Sequence, residues 1–422
     1  MQVRRRGRNG GWLRALMVLT VVIAAALHER PLEAQSRTGT TPTRAPGSSS
    51  VYYVYAGAES ADKLYRIRFD GRTTTVEREI PIGEFAAEME GPHGLAISAD
   101  GRFLHLTTGH GFPDGKYWQY VLGPDTLAGP GVLLGTFPAS IDVTPDGRYA
   151  FSVNFNLHGD MVPSSVSVVH VPNLVEVARI VTCTMPHGSR VSPDGRFHYS
   201  ACMMDDELVE IDTRTQRVSR RFRLAKGSEG TLPADGGDML QMWIDGARRV
   251  SKGKTEDPAE VGYAAMEGHT HAMTPATCSP TWAQPSANGA RIYVACNKGD
   301  EILEVDHASW TITRRFATGR GPYNLGVTPD GTMLIASIKQ GSQIELFDLA
   351  TGRSVARISA STTLSHGVAV SSDSRYAFVT SEGVGAAPGK VDVIDLRART
   401  TVGSVDIGPQ ASGIAFWKVE RP

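Results

Sequence analysis

The chain has 422 residues, a formal net charge of -1 and 21% charged residues. This length is enough for one large domain or for two. The balanced charge excludes the basic surface that nucleic-acid binding requires, so no nucleic-acid partner is expected. The hydrophobic content of 41% is ordinary for a globular protein.

Residues 1–34 are predicted to be a signal peptide. Five arginines between positions 4 and 14 precede the apolar stretch 15–27, which is too short to span a membrane. Leu32-Glu33-Ala34 fits a cleavage site. The paired arginines leave both the general secretory route and the twin-arginine route open, and an uncleaved anchor is a further alternative. The mature protein is therefore expected to be periplasmic or secreted, with no stable membrane span.

Residues 35–50 are rich in Ser, Thr, Pro and Gly and are predicted to be a disordered linker. A turn tetrad, typically Ser or Thr, Pro or Ala, Asp and Gly, then recurs six times, at intervals of about 42 to 48 residues except for one gap. Proline presets φ for such a turn and glycine closes it. The copies begin at Ser98, Thr144, Ser192, Ser286, Thr328 and Ser371. Four-stranded units at this spacing are typical of propeller blades.

The two ends of the globular sequence supply complementary parts of one blade. Residues 51–55, 63–69 and 74–80 read as three strands with no first strand before them, and residues 412–417 read as a lone first strand. Pairing them would close the ring and remove exposed strand edges. The sequence therefore predicts an all-β, seven-bladed β-propeller of four-stranded blades over residues 51–422, closed by N- and C-terminal strands that share one blade.

The one long gap, residues 225–277, is predicted to be an insertion between two blades. It contains few β-branched residues, so it is not expected to form another blade. It includes His269-Thr270-His271 and Met273. A loop of this length inside a compact ring is usually functional.

The tetrads and the alternating strands that end in Ile-Asp or Val-Asp, such as 208–212 and 391–395, resemble the YVTN or YncE-like family of secreted seven-bladed propellers. The resemblance covers nearly all of residues 51–422. It extends to the propellers of nitrous oxide reductase and to the haem d1 propellers, and more loosely to copper-dependent methanethiol oxidases. It implies the fold strongly and the function weakly, because one fold hosts many functions.

Blade geometry places several histidines at one end of the central channel. The starts of first strands and the loops between second and third strands lie at the same end, opposite the tetrad turns. His93, His187 and His366 each precede a glycine at the start of a first strand, and His110 and His158 lie in the loops. These five side chains are therefore expected to converge on one mouth of the channel.

His269 and His271, in the insertion just before a first strand, are predicted to join this cluster and form one metal site. Imidazole is the usual neutral ligand of copper, zinc and iron. One strand offers only one inward side chain per level, so a ring has to recruit ligands from several blades. In the opposing interpretation, a Pro-His-Gly tripeptide at a strand start only hydrogen-bonds to the neighbouring blade.

Export and nearby methionines favour copper as the metal, with haem d1 or calcium as lesser alternatives. The soft sulfur donors are Met185, Met203, Met204 and Met273. Glu88, Glu90, Asp205 and Asp206 are candidate carboxylates to orient the imidazoles. Asn324 and Glu90 are the candidate oxygen ligands for calcium.

Two functions fit this mouth of the channel. One is a metal-dependent oxidoreductase acting on a small molecule. The other is a non-catalytic recognition or scaffold propeller that binds a protein or polymer there.

The four cysteines flank two successive tetrads as Cys183 with Cys202 and Cys278 with Cys296. Opposed residues of an antiparallel hairpin have a constant index sum, and each pair comes close to the sum of its tetrad. The arithmetic places each pair within reach of a disulfide. Thiolate ligation of a metal is the alternative, because both pairs lie at the histidine end.

Overall fold

The computed structural model describes residues 50–84, 88–110, 115–157, 161–237 and 275–422. The predicted signal peptide and nearly all of the predicted linker lie outside these ranges, as do His158, His269, His271 and Met273. Regular structure within the ranges is nearly all antiparallel β-strand. In this part of the chain, no helix has the length and apolar character needed to cross a membrane.

Seven antiparallel sheets form the seven blades of a β-propeller. Blade 1 contains β4 (Pro92–Ile97), β5 (Phe103–Thr108), β6 (Lys116–Val121), β7 (Thr126–Leu127) and β8 (Val132–Leu133). Blade 2 contains β9 (Pro138–Val143), β10 (Tyr149–Asn154), β11 (Pro163–His170) and β12 (Val175–Thr184). Blade 3 contains β13 (Pro186–Val191), β14 (Phe197–Cys202), β15 (Glu207–Asp212), β16 (Arg217–Arg223) and β17 (Gly230–Leu232).

The remaining four blades complete the ring. Blade 4 contains β18 (Pro280–Pro285), β19 (Arg291–Cys296), β20 (Glu301–Asp306) and β21 (Thr311–Ala317). Blade 5 contains β22 (Pro322–Val327), β23 (Met333–Ile338), β24 (Gln343–Asp348) and β25 (Arg353–Ser359). Blade 6 contains β26 (Ser365–Val370), β27 (Tyr376–Ser381), β28 (Gly389–Asp395) and β29 (Thr400–Ile407). Blade 7 contains β30 (Ala411–Glu420), β1 (Val51–Ala58), β2 (Lys63–Phe69) and β3 (Thr74–Pro81).

Both ends of the chain close the ring, as the sequence predicted. In blade 7 the strand order is β3-β2-β1-β30, so the C-terminal strand is innermost and pairs with the N-terminal strand, with Tyr55 opposite Ala415. The innermost strand β30 contacts β4 on one side and β26 on the other. The seven innermost strands therefore form a continuous ring around the channel.

The tetrad turns explain why the first two strands of a blade pair in a fixed register. In blade 3 the Ser192 amide donates to the carbonyl of Phe197 at 2.7 Å, and the Phe197 amide donates to Ser192 Oγ at 2.9 Å. Gly195 closes the turn with φ of 73°. In blade 6 Ser374 takes this position with φ of 57°, a conformation that costs a non-glycine residue energy.

Apolar side chains are packed between neighbouring blades rather than in one central core. The described part of the chain has seven buried clusters, one at each interface between adjacent blades. At the junction of blades 7 and 1, for example, Tyr55 and Leu64 pack against Leu104 and Leu106. Fully burying one such side chain stabilises the fold by roughly 1.5–3 kcal/mol. The channel wall is thus held by the contacts between blades.

The described part of the insertion adds to blade 3 rather than forming a blade of its own. Strand β17 pairs with the outer strand β16 and becomes a fifth strand. The rest of the insertion, 238–274, lies outside the described residues.

Candidate metal centre

Two rings of residues lie at the same end of the channel. The first ring is the second residue of each innermost strand: His93, Ala139, His187, Thr281, Tyr323, His366 and Ser412. The second ring is the residue that follows each second strand: Glu59, Gly109, Phe155, Met203, Asn297, Lys339 and Glu382. Because first strands begin where second strands end, the two rings meet at this mouth.

The first-ring histidines are held by the backbone of the next blade. His93 Nδ1 lies 2.5 Å from the carbonyl oxygen of Ala139, and His187 Nδ1 lies 2.9 Å from that of Thr281. A carbonyl can only accept, so Nδ1 carries the proton and Nε2 keeps its lone pair. In blade 6, His366 faces the backbone of Ser412 in the same way, without a well-formed hydrogen bond. In His93 and His366 this arrangement turns Nε2 toward the channel as the coordinating atom.

The glycine after each of these histidines has a packing role. A Cβ at Gly188 would lie 2.2 Å from the carbonyl oxygen of Thr281, and one at Gly367 would lie 2.5 Å from that of Ser412. Glycine therefore lets the neighbouring strand come close enough for its carbonyl to meet the histidine. The His-Gly pair thus serves blade packing and imidazole orientation together.

Glu59 joins His93 and His366 to form a group of potential metal ligands. One ligand atom from each of the three side chains lies within 4.8 Å of the other two. Glu59 enters from blade 7, between the blades that carry the two histidines. It begins the short 3-10 turn Glu59–Ala61 that follows β1. The side chains are 3%, 8% and 5% exposed respectively, so all three are withdrawn from bulk water.

The carboxylate of Glu59 is fixed by neighbours that leave one oxygen facing His93. Glu59 Oε1 lies 3.6 Å from His93 Nε2. Its other oxygen, Oε2, is 2.8 Å from His110 Nε2 and accepts a hydrogen bond from Gln410 Nε2 at 3.0 Å. Outer hydrogen bonds of this kind orient a carboxylate ligand. His110 is therefore placed as an orienting partner of Glu59.

The protonation states suit ligation. Burial alone would raise the pKa of Glu59, but the charges of His93 and His110 and the hydrogen bond from His110 outweigh it and lower that pKa. Burial lowers the pKa of His187 to about 3 and the pKa of His366 well below its usual value, with nearby charges acting in the same direction. At neutral pH the group therefore offers the carboxylate of Glu59 together with the unprotonated imidazole of His366.

His187 lies beside this group but is already engaged. Its Nε2 accepts a hydrogen bond from the hydroxyl of Tyr323 at 2.8 Å. The ammonium of Lys339 lies 4.1 Å from the centre of the Tyr323 ring and pairs with Glu382 at 2.6 Å. The ring centres of His187 and His93 are 6.2 Å apart. His187, Tyr323, Lys339 and Glu382 thus form a network of polar contacts next to the three candidate ligands.

The structure brings together His93, His187 and His366, and it connects His110 to them through Glu59. His158, His269 and His271 lie outside the described residues, so their predicted part in the site stays a prediction. The sequence did not predict Glu59 as a site residue. Glu59 directly follows the second strand of blade 7, which is the kind of loop position that identified His110 in blade 1.

Three of the four carboxylates predicted to orient the imidazoles accept hydrogen bonds from backbone amides at the mouth. Glu90 accepts from the amide of Glu84, and Asp205 accepts from that of Thr184 at 2.6 Å. Asp206 accepts from the amides of Thr277 and Ser279, each at 2.6 Å. These contacts shape the loops at the mouth.

Three of the four methionines that favoured copper lie within the described ranges, and Met273 lies outside them. Met185, Met203 and Met204 belong to the apolar cluster between blades 2 and 3 or pack against it. The donor set that the described residues bring together therefore consists of imidazole nitrogens and a carboxylate oxygen.

Both predicted disulfides are confirmed. Cys183 is bonded to Cys202 and Cys278 to Cys296, and the described residues include no free cysteine. The alternative of thiolate ligands is therefore wrong for these four residues. The hairpin argument for the first pair was also inexact, because Cys183 lies in β12 of blade 2. This bond links blade 2 to the second strand of blade 3.

Comparisons with solved structures support the fold. A hydrazine synthase from Kuenenia stuttgartiensis aligns with a TM-score of 0.56 and 16% identity, over 79% of this chain and 93% of that one. A periplasmic gluconolactonase from Pseudomonas aeruginosa aligns with a TM-score of 0.62 and 18% identity, over 87% and 99%. A protein of unknown function from Desulfotomaculum acetoxidans gives 0.57 and 13%, over 87% and 99%.

At these identities the likeness shows the propeller fold alone, although the structural neighbours include enzymes. No protein-family model matches the chain, and no curated protein matches it. The resemblance to the YncE-like family thus stays an expectation beyond the fold.

Proposed function

We propose that the protein is an exported β-propeller that binds one divalent transition-metal ion at the channel mouth, through Glu59, His93 and His366. The observation that carries this proposal is that three potential ligand atoms from three blades lie within 4.8 Å of one another. Each of the three side chains is more than nine-tenths buried. Burying a carboxylate is costly unless a partner compensates its charge, and a bound cation is such a partner.

The donor set narrows the choice of ion. Two imidazoles and one carboxylate suit zinc, iron(II) and copper(II). Copper stays the first ion to test, as the sequence suggested, although the described residues place no sulfur in the group. Calcium prefers six to eight oxygen ligands, so a set with one carboxylate and two imidazoles favours it little.

An enzyme fits this geometry because three protein ligands leave coordination positions open for water or a substrate. The mouth is also lined by Tyr323 and Lys339, whose hydroxyl and ammonium could contact a small molecule bound there. We propose that the protein is a metal-dependent oxidoreductase acting on a small molecule. Export is supported by the predicted signal peptide and by two disulfides, which persist in oxidising compartments.

Elemental analysis tests the proposal directly. Metal-free protein is titrated with Cu²⁺, Zn²⁺ and Fe²⁺, and the bound metal is counted after gel filtration. We expect one ion per chain in the wild type and none in the variant that combines His93→Ala and His366→Ala, or in Glu59→Gln at low metal concentration. His170→Ala, at the end of β11, is the matched control and should bind as the wild type does. Equal binding by all variants would refute the site.

A recognition or scaffold propeller is the second candidate function. The His-Gly pairs favour it, because their close packing and hydrogen bonding to the next blade explain these residues without a bound metal. A protein that binds no metal under any of these conditions, but captures a protein or polymer at the mouth, would support this alternative.

A further inference from the structure

A cavity lies between blades 1 and 2, at the end of the ring opposite the candidate metal centre. Its volume is about 700 Å³, and its walls include residues of two tetrad turns, 98–100 and 145–147. Ligand pockets for small molecules span about 300–1,000 Å³, so the size suits one such molecule. The cavity shares no residue with the group formed by Glu59, His93 and His366.

Blade 1 lacks a set of tyrosine, glutamate and arginine side chains that blade 3 has at the equivalent position. There Glu210, in the third strand, pairs across the sheet with Tyr199 on one side and with Arg220 of the outer strand on the other. Arg220 Nε donates to Glu210 Oε1 at 2.9 Å. In blade 1 the equivalent positions hold Gln119 and, opposite it, His105. A smaller ring thus replaces the tyrosine, and a neutral amide replaces the carboxylate.

Blade 4 repeats the arrangement of blade 3, with Glu304 opposite Tyr293 and Arg314. Blade 1 has no arginine to match, because its outer strand is split into the two-residue strands β7 and β8. These two pair with β6 on either side of Gln119, whose outer neighbour is the small residue Ala128, which donates its amide to the backbone carbonyl of Gln119 at 2.8 Å. In blades 3 and 4 this position is filled by the pair of a glutamate and an arginine. In blade 1 the interrupted outer strand leaves it open, and the cavity lies there.

Two polar groups remain without partners at the wall of this cavity. Gln119 is only 8% exposed, and its side-chain amide makes no hydrogen bond to any residue in the described ranges. His105 is 1% exposed; its Nδ1 is 2.8 Å from the hydroxyl of Tyr117, while its Nε2 has no partner within the same ranges. Burial lowers the pKa of His105 to about 4, so the ring is neutral at pH 7. Buried polar groups of this kind usually have a partner.

The rest of the lining is mainly apolar and offers no free cation. Phe103, Val121, Val171 and Leu174 contribute apolar walls. The charged residues at the rim are Asp100, Arg102 and Asp146. Arg102 Nε pairs with Asp100 Oδ2 at 2.7 Å, and Asp146 accepts from the hydroxyl of Thr144. A net negative rim disfavours anionic ligands.

We propose that this cavity is a binding site for a small uncharged molecule with an apolar body and one hydroxyl or carbonyl group, which pairs with the side-chain amide of Gln119. The apolar walls accept the body of the ligand, and the side-chain amide of Gln119 can donate to a carbonyl or pair with a hydroxyl.

The test uses the full mature chain and three probes of one shape: 2-naphthol, naphthalene and 2-naphthoate. Binding is followed by probe fluorescence and by calorimetry. We expect saturable 1:1 binding of 2-naphthol, with naphthalene about fivefold to tenfold weaker for the loss of one hydrogen bond. The anion 2-naphthoate should bind more weakly than 2-naphthol.

Two variants test separately the hydrogen bond to Gln119 and the volume of the cavity. Gln119→Leu should remove most of the preference for 2-naphthol over naphthalene, and Ala128→Trp, an exposed residue at the lining, should block both probes while the melting temperature stays unchanged. Gln343→Leu in blade 5 is the matched control. Combining His93→Ala with His366→Ala should leave 2-naphthol binding intact, which separates this site from the metal centre.

Three results would overturn the proposal. The first is no saturable binding of 2-naphthol by the wild type below about 1 mM. The second is undiminished binding in Ala128→Trp. The third is an equal affinity of the wild type for 2-naphthol and naphthalene.

Discussion

The carbonyl oxygen of Thr281 approaches the neighbouring blade so closely that a Cβ at Gly188 would lie only 2.2 Å away from it. The same oxygen accepts the hydrogen bond from His187 Nδ1 at 2.9 Å. Packing between blades 3 and 4 and the orientation of a channel imidazole thus depend on one backbone atom. The equivalent approach of Ser412 to Gly367 extends this relationship to His366.

Substituting Gly188→Ala should therefore destabilise the fold, by about 1–3 kcal/mol, because the added methyl group forces the two innermost strands apart. The measurement is urea unfolding at pH 7.5. Gly230→Ala is the matched control, since nothing lies within 4 Å of a Cβ at that position. Equal stability of the two variants would show that the close approach is not required.

His110 is predicted to orient Glu59 rather than to hold the metal alone. If so, His110→Ala should weaken metal binding by about 10- to 100-fold, which is typical when an outer hydrogen bond to a ligand is lost. The number of ions bound at saturation should remain one. Competition titration against a chelator measures both quantities, with His170→Ala as the control. A complete loss of binding would instead make His110 a ligand.

Much of the fold could be predicted because it is a repeat. Six tetrads with similar spacing mark the blades, and the orphan strands at Val51 and Ser412 reveal the shared blade. The same periodicity placed His93, His187 and His366 correctly at equivalent positions. Because each copy of the repeat supports the assignment of the others, the fold can be predicted even when one blade is ambiguous.

Other features of the site and the fold are departures from the repeat. A repeating sequence pattern does not predict them. Glu59 follows the second strand of the divided blade, and its contacts with His93 form only when the ring closes. Cys183 lies in the outer strand of the preceding blade rather than in the hairpin that the index sum assumed. The split outer strand of blade 1 likewise has no signal in the tetrads. Each of these features arises from contacts between blades.

Stability should fall as the pH drops below about 6.5, partly because of His198. This side chain is fully buried, neither ring nitrogen has a partner in the described ranges, and burial, aided by the charge of Arg190, lowers its pKa to about 3. Between these two pH values the unfolded chain binds a proton that the folded chain does not. The free energy of unfolding therefore decreases as the pH falls through this window.

The variant His198→Phe isolates this contribution, since an aromatic ring can keep the stacking on Phe151. Between pH 7.5 and pH 5 the wild type should lose about 2 kcal/mol more stability than the variant does, at about 1.4 kcal/mol for each unit of pKa. Urea unfolding at both pH values provides the comparison. Parallel pH dependence of the two proteins would contradict the assignment.

The bond between Cys183 and Cys202 should stabilise the contact between blades 2 and 3. It closes a loop with a sequence separation of 19, for which chain entropy gives roughly 3 kcal/mol. The double variant Cys183→Ser with Cys202→Ser should lose about this amount in urea unfolding under non-reducing conditions. Adding reductant should lower the stability of the wild type but should affect the double variant only through Cys278–Cys296. A double variant as stable as the wild type would mean that noncovalent packing alone stabilises the contact between blades 2 and 3.

The C-terminal strand should be indispensable, because three sets of contacts meet on it. Strand β30 pairs with β1 along the inner edge of blade 7 and contacts the innermost strands of both neighbouring blades. Its Trp417 Nε1 donates to the carbonyl of Gly101 at 2.9 Å, and Ser412 Oγ donates to that of Pro92 at 3.0 Å. Removing residues 411–422 would expose the edge of β1 and open the apolar clusters on both sides of blade 7.

We expect the shortened chain to lose its single cooperative thermal transition and to associate through the exposed edge, because an unpaired strand is a template for pairing with another chain. Calorimetry and light scattering measure the two effects. Removing only residues 421–422, which follow β30 and are exposed, is the matched control and should melt as the full chain does. If the longer deletion melts within a few degrees of the control, the ring does not depend on closure by its two ends.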